Sequence, residues 1–388
     1  MNETRRNVQV ISFRPTEEET AFIEVAKDLA INKIRPLIKE VDQNSEGLQE
    51  TLSQMSELGF LDMELPESWH GLELPLISQV QILKALSYGD LDFIQSLPGA
   101  GDAASLIRLL PETEEMQTFR EKYLSAENKT IAYTEAVDQE MDWGSTIQLE
   151  NDGDGYILSG RTLPTRLAMQ AHFVVISTTD SFGRKVIFYL DHGDWEKEEN
   201  NQFGLVSSGI ASLQFHREKI AKSQVLSIGD QAEKVITQAR GRIQILQAAK
   251  EVGLAEAALD YATEYTAGRY AFGQEIAKFQ GVSFRIAKMA IEGKAANNLV
   301  LEAAVNTDRK STNDSLALRG LQRAHRAVCF ATDSAVQLLG GHGFIREYPV
   351  EKWMRDAQAQ VMLYGKEKDL LLQYGKRLVE EEKDVARL

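Results

Sequence analysis

The sequence predicts a mostly α-helical protein with a β domain at its centre and helical domains on either side. Apolar residues recur at helical spacing near the N-terminus, short β-type runs alternate with turn residues in the middle, and long helical patterns follow Asp230. These patterns divide the 388 residues into an N-terminal helical domain (1–125), a middle β domain (126–230) and a C-terminal four-helix bundle (231–388). A chain of this length suits two or three domains.

The first helix should begin at Thr16, which forms a capping-box pattern with Glu19. Apolar residues then recur at helical spacing, at Phe22, Ala26, Leu29, Ala30, Ile34, Leu37 and Val41. Pro36 should kink this helix because its ring leaves no room for a straight helical turn. Two further helices are predicted at 48–58 and 77–88, each followed by a glycine.

The middle of the chain predicts short strands separated by turn residues. The predicted strands are 130–133, 145–149, 155–158, 173–177, 186–190 and 212–215. Residues 151–155 read Asn-Asp-Gly-Asp-Gly, a strong hairpin turn because Gly and Asp tolerate positive φ. Strands and helices do not alternate here, so we expect an antiparallel, barrel-like β domain and no doubly wound nucleotide-binding fold.

Helical periodicity returns in the last third of the chain. The predicted helices are 231–268, 277–305, 313–339 and 355–381. A glycine-rich segment at 340–343 separates the last two. Four helices of this length predict an up-and-down bundle.

The charge balance restricts the class of partner. Lys and Arg number 43 against 58 Asp and Glu, which gives a net charge of −15. This balance disfavours nucleic acid or an anionic membrane as the main partner, although it allows a local basic pocket for a small anionic ligand. The sequence has no run of about 18 apolar residues and no apolar signal core, so we expect a cytoplasmic protein without membrane insertion.

Residues that usually form metal sites or nucleophiles are sparse. Cys329 is the single cysteine and lies in an apolar run, which favours a buried structural thiol and excludes a Cys-based zinc site. The six histidines lack metal-ligand spacing, so we expect no metal and place each histidine at the surface or in a turn. Motifs typical of kinases, α/β hydrolases and Rossmann folds are absent.

Several segments, taken in chain order, resemble the acyl-CoA dehydrogenase family. They are Leu58-Gly59-Phe60 with Pro66-Glu67 and Gly71-Leu72, then Ala132-Tyr133-Thr134-Glu135, the hairpin at 152–160, Gly253-Leu254, Arg269-Tyr270-Ala271-Phe272-Gly273-Gln274 with Phe279-Gln280, the segment 337–344, and Arg355-Asp356-Ala357. The most specific of these is Gln-Leu-Leu-Gly-Gly-His-Gly-Phe at 337–344. The resemblance spans nearly the whole chain.

The resemblance implies an activity and its partners. Members of this family use FAD to remove hydrogens from the α and β carbons of an acyl-CoA thioester in fatty acid metabolism, with the hydride passing to the flavin. The flavin would lie between the β domain and the bundle. An electron-transfer partner and a homodimer or homotetramer are also implied, or a mixed oligomer with a second family member.

Part of the implied FAD site would be supplied by a neighbouring subunit. The implied cofactor-binding residues are Thr134, Thr165, Arg269, Phe272, Phe279, Gln280, Gln337, Gly340 and Gly341. A guanidinium can hold two oxygens of a pyrophosphate, which suits Arg269, and glycine at Gly340 and Gly341 lets the backbone approach a cofactor closely. Alternatively, Arg269 pairs with Glu264 or Glu275 and the glycines only turn the chain.

The residue that usually removes the α-proton is missing. Relatives use a Glu, and counting from Arg355 places that position at Tyr364. Some relatives carry the base on the first long helix of the bundle, where the matching residue is Ile243. Tyrosine, with an ordinary pKa of about 10, is a poor base at neutral pH, and Glu367 could substitute only if its helix entered in a different register.

Other positions also depart from the family pattern. Residues 137–142 carry acids where relatives have a Gly-Ser-Asp turn, and 164–166 replaces a Trp-Ile-Thr segment that covers the flavin. We expect either that Thr165 supplies the hydroxyl after a one-residue shift or that Arg166 approaches the cofactor. Gln244 replaces a common arginine, for which the possible substitutes are Arg240 and Arg242.

The sequence therefore leaves two functions open. The first is an FAD-dependent acyl-CoA dehydrogenase with an unusual base or substrate. The second is a non-catalytic partner subunit that completes the flavin site of a neighbouring chain, which would explain a retained Arg269 beside a missing Glu. A DNA-associated member of the same superfamily is disfavoured by the net charge of −15.

Overall fold

The computed structural model describes residues 15–39, 45–136, 146–191, 195–199, 201–310 and 315–385. Its helical first part contains α1 (Glu17–Leu29), α2 (Arg35–Lys39), α3 (Ser45–Glu57), α4 (Leu76–Ser87), α5 (Leu91–Ser96), α6 (Ala103–Ile107) and α7 (Glu114–Ser125). The three predicted helices are confirmed, whereas α5, α6 and α7 were not predicted. The two shortest of these, α5 and α6, have too few residues to show helical periodicity in the sequence.

The start of α1 is as predicted, and the helix changes its geometry just before Pro36. Thr16 Oγ1 accepts a hydrogen bond from the backbone N–H of Glu19 (3.2 Å), and Glu19 Oε2 accepts one from the N–H of Thr16 (2.7 Å). The helix widens into a π-helical turn at Ala30–Ile34 before α2. Pro36 explains this widening, because its ring would clash with the carbonyl group four residues earlier in a regular helix. The predicted end of the helix at Val41 lies outside the described residues.

The middle part consists of strands. They are β1 (Ile131–Glu135), β2 (Gln148–Asp152), β3 (Gly155–Arg161), β4 (Phe173–Thr179), β5 (Lys185–Asp191), β6 (Glu196–Glu199), β7 (Ala211–Ile220) and β8 (Val225–Ile228). Each of the six predicted strands overlaps one of these, although Ser145, where the second was expected to begin, lies outside the described residues. The prediction missed β6, which is fully exposed and acidic, and β8, which has only four residues.

The strands form two sheets and not the expected barrel. One sheet has the order β1-β4-β5-β8 and the other β2-β3-β7-β6, so no closed barrel is present in the described part of the chain. The expectation of a purely antiparallel domain was also wrong, because β1 pairs with β4 in parallel. Between β1 and β4 in the sequence, β2 and β3 belong to the second sheet. When the chain returns to the first sheet, β4 runs in the same direction as β1.

Alternation along β4 separates two apolar cores. Val174 and Ile176 face the second sheet and form the centre of the β domain. Phe173 and Val175 face the opposite way and pack with Phe119 of α7 and with the helix that follows the β domain. A strand buried on both faces reads as a continuous apolar run, as this one does.

The last part is helical, but its final predicted helix is two helices. The elements are α8 (Asp230–Gly268), a short hairpin of β9 (Tyr270–Ala271) and β10 (Gln274–Glu275), α9 (Gln280–Asp308), α10 (Ser315–Leu339), α11 (Val350–Tyr364) and α12 (Glu367–Val385). The helix expected at 355–381 is therefore wrong as a single element. It breaks at Gly365, which has φ of +116° and ends α11 in a conformation that L residues avoid.

A buried ionic cluster joins all three parts of the fold. Lys352 Nζ of α11 lies 2.7 Å from Asp90 Oδ2 at the start of α5 and 2.7 Å from Asp356 Oδ2. Asp92 in α5 lies 3.9 Å from the same ammonium group and accepts a hydrogen bond from Ser208 Oγ of the β domain at 2.8 Å. We call Asp90, Asp92, Lys352 and Asp356 the junction cluster.

The junction cluster contains three carboxylates and one cation. Burial is the main cause that raises the pKa of Asp356 to about 7, and the charges of Asp90 and Asp92 raise it further, while Lys352 opposes them. The three carboxylates outweigh the effect of burial on Lys352 and hold its pKa above its ordinary value. Lys352 is therefore charged and is the group that keeps these carboxylates together.

We expect Lys352→Met to lower the free energy of unfolding by about 3–5 kcal/mol, because it leaves buried carboxylates without a cation. Urea unfolding at neutral pH measures the change. The matched control is Lys278→Met, which removes an exposed pair with Glu275 (2.5 Å) and should leave stability almost unchanged, because solvent screens such pairs. Equal losses in the two variants would contradict a structural role for the junction cluster.

Candidate functional site

Tyr364, at the expected base position, belongs to a buried polar network. Its hydroxyl donates to Asp102 Oδ2 at 2.7 Å, directly before α6. Asp102 Oδ1 accepts hydrogen bonds from Gln247 Nε2 (2.8 Å) and Arg166 Nη2 (3.2 Å). Gln247 lies on α8, and Arg166 lies in the loop between β3 and β4, so the network gathers side chains from every part of the fold.

The network continues inward through amide side chains. Gln95 Nε2 donates to Gln247 Oε1 (2.7 Å) and to Gln360 Oε1 (2.6 Å). Gln95 Oε1 accepts a hydrogen bond from Lys250 Nζ at 2.8 Å. We call Gln95, Asp102, Arg166, Gln247, Lys250, Gln360 and Tyr364 the interior network.

Local helical spacing explains how these side chains meet. Gln247 and Lys250 are three residues apart on α8, and Gln360 and Tyr364 are four residues apart on α11, so each pair shares one helix face. Both faces point at the end of α5, which carries Gln95.

Charges inside the interior network shift its pKa values. Burial alone would raise the pKa of Asp102, but Arg166 and Lys250 outweigh it and lower that pKa. Burial and the charge of Arg166 lower the pKa of Lys250 to about 7, against a smaller opposing effect of Asp102. Burial and Asp102 raise the pKa of Tyr364 well above 10, so its hydroxyl keeps its proton at neutral pH.

The other two candidate base positions lie outside the hydrogen-bonded network, although Tyr364 also packs against the apolar core that contains Ile243. Ile243 is buried in the apolar core between α8 and the first sheet. Glu367 is exposed at the start of α12, beyond the break at Gly365, and accepts a hydrogen bond from Gln322 Nε2 at 3.0 Å. Neither residue belongs to the interior network.

The expected cofactor-binding residues form two groups. Thr134 and Thr165 are buried in the β domain, and the Thr165 hydroxyl donates to the carbonyl oxygen of Leu163 at 2.9 Å. The others lie on or beside the segments that join α8 to α9 and α10 to α11: Arg269, Phe272, Phe279, Gln280, Gln337, Gly340 and Gly341. No hydrogen bond between described residues links the two groups.

The second group borders an open pocket. The pocket has a volume of about 460 Å³ and is lined by Tyr261, Glu264, Tyr265, Gly268, Arg269, His342 and Tyr348. Tyr265 Oη and His342 Nδ1 are 2.6 Å apart, and the His342 ring stacks on Tyr348 at 4.9 Å between ring centroids. The structure therefore brings the end of α8 together with the glycine-rich segment. We call this the Arg269 pocket.

Arg269 does not form an ion pair with Glu264 or Glu275, which was the alternative to binding a ligand. Neither Glu264 nor Glu275 lies within 4.0 Å of its guanidinium nitrogens, and Glu275 pairs instead with Lys278 at 2.5 Å. Gly340 has φ of +59°, and no atom lies within 4 Å of where a Cβ at Gly340 or Gly341 would stand. The backbone at both glycines is open to an approaching group.

The expected substitute arginines are engaged by carboxylates. Arg242 pairs with Glu64 through two hydrogen bonds of 2.6 and 2.8 Å in the interior. Arg240 pairs with Glu135 at the end of β1. Arg166, which was expected to approach the cofactor, instead donates hydrogen bonds to Asp102 Oδ1 (3.2 Å) and to the Gln95 carbonyl oxygen (2.9 Å).

Two further expectations concerned the histidines and the single cysteine. His325 is not at the surface: it is buried, and its Nδ1 lies 2.7 Å from Glu251 Oε2. Cys329 is half-buried and not fully buried as expected, and burial raises the pKa of its thiol to about 12. The acidic segment 137–142 lies outside the described residues.

Sequence reasoning missed most of the interior network. Asp102, Gln95, Gln247, Lys250 and Gln360 were not singled out, although polar side chains inside otherwise apolar helical stretches were a signal for them. Their partners come from distant parts of the chain, so no local pattern connects them.

Two negative findings bear on the site. Within the described ranges, no three or more His, Cys, Asp or Glu side chains are arranged to hold a metal ion. No described helix combines the length and apolar character needed to span a bilayer.

Comparison with known proteins adds a consistent set of similarities. Residues 16–126 match the family model "Acyl-CoA dehydrogenase, N-terminal domain" and residues 234–379 match "Acyl-CoA dehydrogenase, C-terminal domain". A 3-(aryl)acrylate reductase of Clostridium sporogenes is 28% identical over 366 residues, covering 90% of this chain and 95% of that protein. The mitochondrial short-chain specific acyl-CoA dehydrogenase of Bos taurus is 27% identical, covering 88% and 85%.

Solved structures share the fold. Butyryl-CoA dehydrogenase from Megasphaera elsdenii superposes with a TM-score of 0.82 at 24% sequence identity, covering 95% of this chain and 100% of that one. The arrangement of helical, β and helical parts is therefore the arrangement found in that protein.

We expect Lys250→Met to change how stability depends on pH. Between pH 7 and 10.5 the folded protein holds Lys250 neutral while the unfolded chain protonates it, so stability rises with pH across this window. The variant should lose this contribution of about 1.4 kcal/mol per pH unit. Urea unfolding of both proteins at several pH values inside the window measures it.

Lys234→Met is the control, because Lys234 is exposed on the same helix. Its stability should follow the wild-type pH dependence. A Lys250→Met variant that also followed the wild-type curve would contradict a neutral buried Lys250.

Proposed function

Because the chain belongs to the acyl-CoA dehydrogenase family, we propose that it is an FAD-dependent enzyme that oxidises the Cα–Cβ bond of an acyl-CoA thioester. The observation that carries this proposal is the Arg269 pocket, which is lined by Arg269 and by aromatic rings and whose lining residue His342 directly follows the open backbone of Gly340 and Gly341. Membership in this family favours an active enzyme over a non-catalytic partner subunit.

The residues around the Arg269 pocket fit a dinucleotide cofactor. An accessible guanidinium without a carboxylate partner suits a diphosphate, and the open backbone at Gly340 and Gly341 leaves room for close approach. We propose that Arg269, Phe272, Phe279, Gln280, Gln337, Gly340 and Gly341 hold this part of FAD. When bound, FAD supplies the acceptor for the β-hydride.

On the β-domain side we propose Thr134 and Thr165 as contacts of the flavin. Thr134 lies on β1 of the first sheet, and Thr165 forms a bridge to Ala211 of β7 in the second sheet. Because the Thr165 hydroxyl proton is directed at Leu163 O, this group is set to accept a further hydrogen bond and not to donate one.

We propose that a second copy of the chain covers the Arg269 pocket. Phe272 and Phe344 beside it are 93% and 77% exposed, which is costly for large aromatic side chains of a monomer. A homodimer or homotetramer would bury them and close the cofactor site. An electron-transfer protein would then remove the electrons that the flavin receives.

Tyr364 is our candidate for the residue beside the acyl α carbon. Its raised pKa and its hydrogen bond to Asp102 keep it protonated, so we propose that it positions the thioester and does not abstract the proton. Asp102 is ionised, but its lowered pKa makes it a weak base. Without a positioned Glu, dehydrogenation should be slower by about 10²- to 10⁴-fold than with one.

The proposal is tested by adding acyl-CoA thioesters anaerobically to the FAD-loaded protein and following the visible flavin absorption. We expect slow bleaching. Tyr364→Phe should slow it by no more than about tenfold, the effect of one lost hydrogen bond. Glu367→Gln should leave it unchanged, because Glu367 is exposed on α12.

A loss of 10² or more in Tyr364→Phe would show that Tyr364 acts as the base. A bound flavin that stays oxidised with every thioester would contradict the proposed activity and favour the partner-subunit function.

Replacing Arg269 tests the cofactor site separately. We expect Arg269→Met to weaken FAD binding by about tenfold or more, because a charge-assisted contact with the diphosphate is lost, and Arg269→Lys to restore it in part. Equilibrium dialysis against FAD measures the affinity. Arg309→Met, at the other end of α9, is the control. Unchanged FAD affinity in Arg269→Met would contradict this assignment.

A further inference from the structure

We propose that His342 is a second cationic contact of the diphosphate in the Arg269 pocket and that it takes up a proton when FAD binds. As a result, the affinity for FAD falls as the pH rises through neutrality. This inference rests on the proposed function, because it takes the Arg269 pocket as the cofactor site. It goes further by giving His342 a role and by making cofactor binding depend on pH.

The first argument is the position of His342. It lines the Arg269 pocket together with Arg269 itself, and it directly follows Gly340 and Gly341, whose backbone is open to an approaching group. The volume of the pocket, about 460 Å³, is typical of a site for a small ligand. An anion that Arg269 holds here is therefore in the same cavity as the imidazole of His342.

The second argument is the orientation of the imidazole ring, which two tyrosines hold. Nδ1 of His342 lies 2.6 Å from Tyr265 Oη, and the ring of Tyr265 stands edge-on to the imidazole. The other face of contact is Tyr348, whose ring lies 4.9 Å from the imidazole at an angle of 12°. Nδ1 is therefore occupied. Nε2, which has no hydrogen-bond partner among the described residues, is the nitrogen left for a ligand.

The third argument is the proton arrangement that Tyr265 imposes. Its hydroxyl donates to the Leu339 carbonyl oxygen at 3.4 Å, and a hydroxyl has one proton to donate. Tyr265 Oη therefore accepts its hydrogen bond from Nδ1–H of His342. In a neutral imidazole with its proton on Nδ1, Nε2 carries a lone pair, which repels a phosphate oxygen. Nε2 donates to a phosphate only after the ring has taken up a second proton.

The fourth argument is the charge that a diphosphate requires. Glu264 and Arg269 are the acid and the base that line the pocket beside His342, and their charges cancel. The diphosphate of a dinucleotide carries two negative charges. A protonated His342 supplies a positive charge to it, and charge-assisted hydrogen bonds are about twice as strong as neutral ones.

The surroundings of His342 contain several other charged or titratable groups. Arg346 and Glu347 are exposed on its own loop, and Glu351 of α11 is paired with Arg355 at 2.8 Å. The last turn of α10, residues 336–339, carries no charged side chain. The remaining groups line the pocket: Tyr261, Glu264, Tyr265, Arg269 and Tyr348. Among these types of side chain, histidine is the one that ordinarily changes its charge between pH 5 and 8.

The experiment titrates FAD into the full chain freed of cofactor and measures heat by isothermal titration calorimetry. Buffers of different ionisation enthalpy report the protons taken up with each FAD. At pH 7.5 we expect an uptake of roughly half to one proton in the wild type, and the affinity should fall by up to about tenfold per pH unit between pH 7 and 8.5. The diphosphate of FAD keeps its charges over this window.

Two variants assign the proton to His342. His342→Gln retains a neutral N–H donor and removes the titration, so it should show no proton uptake and the same FAD affinity at pH 6 and pH 8.5. At pH 6 it should bind FAD about tenfold more weakly than the wild type, the difference between a charge-assisted and a neutral hydrogen bond. His216→Gln is the matched control, because His216 is exposed on β7 in the β domain, and it should follow the wild type.

Coenzyme A also carries a diphosphate, so a second titration distinguishes the two sources. Butanoyl-CoA is titrated into the FAD-loaded wild type in the same buffers. We expect no proton uptake by His342 in this titration, because FAD already occupies the Arg269 pocket.

FAD binding without proton uptake in the wild type overturns this inference and leaves the proposed function intact, since FAD still binds. Proton uptake that persists in His342→Gln also overturns it, and so does an uptake that accompanies butanoyl-CoA in place of FAD. Failure of FAD to bind at any pH overturns the proposed function and this inference together. The wild-type titrations decide the question even if His342→Gln does not fold.

Discussion

The rest of the structure depends on the burial of α8, which is nearly complete over its middle at residues 242–258. Its first half packs through Val235 and Ile236 against the first β sheet and α7. Its middle contacts α4, and the approach is so close that a Cβ at Gly253 would lie 2.2 Å from the Lys84 carbonyl oxygen. Its last part joins the core formed with α10 and α11. One helix therefore supplies the surface on which each part of the fold is placed.

Such burial imposes a second constraint, because polar side chains on α8 must find partners inside the protein. Arg242 pairs with Glu64, Glu251 with His325, and Lys250 with Gln95, and each partner comes from another element. An unpaired buried charge is strongly destabilising, so these contacts restrict how the elements can be arranged around α8. They also explain why charged side chains of α8 are found in the interior of the protein, each next to a polar partner.

The two candidate binding regions differ in physical character. The Arg269 pocket is open, aromatic and without a carboxylate partner for its guanidinium, as a surface awaiting a cofactor and a second copy would be. The interior network is closed, hydrogen-bonded and charged. The family resemblance pointed to the first region, whereas the second is formed by contacts between distant segments that the resemblance did not indicate.

The sequence by itself determined the features that depend on neighbours along the chain. The Thr16 capping box, the change of helix geometry before Pro36, the hairpin at 151–155 and the long helices all follow from local sterics and periodicity. The family resemblance, carried by ordered local segments, likewise predicted the order of the parts. Of the site, it pointed to Arg269 and the glycines but not to the surroundings of Tyr364.

Only the tertiary structure decided the contacts between distant segments. The parallel pairing of β1 with β4, the break at Gly365 that separates Glu367 from Tyr364, and the meeting of Asp102, Arg166 and Lys250 could not be read from local patterns. The physical reason is that strand pairing and buried charge compensation are set by which surfaces pack together. Residues separated by some sixty to two hundred and sixty positions become partners only when the whole chain is folded.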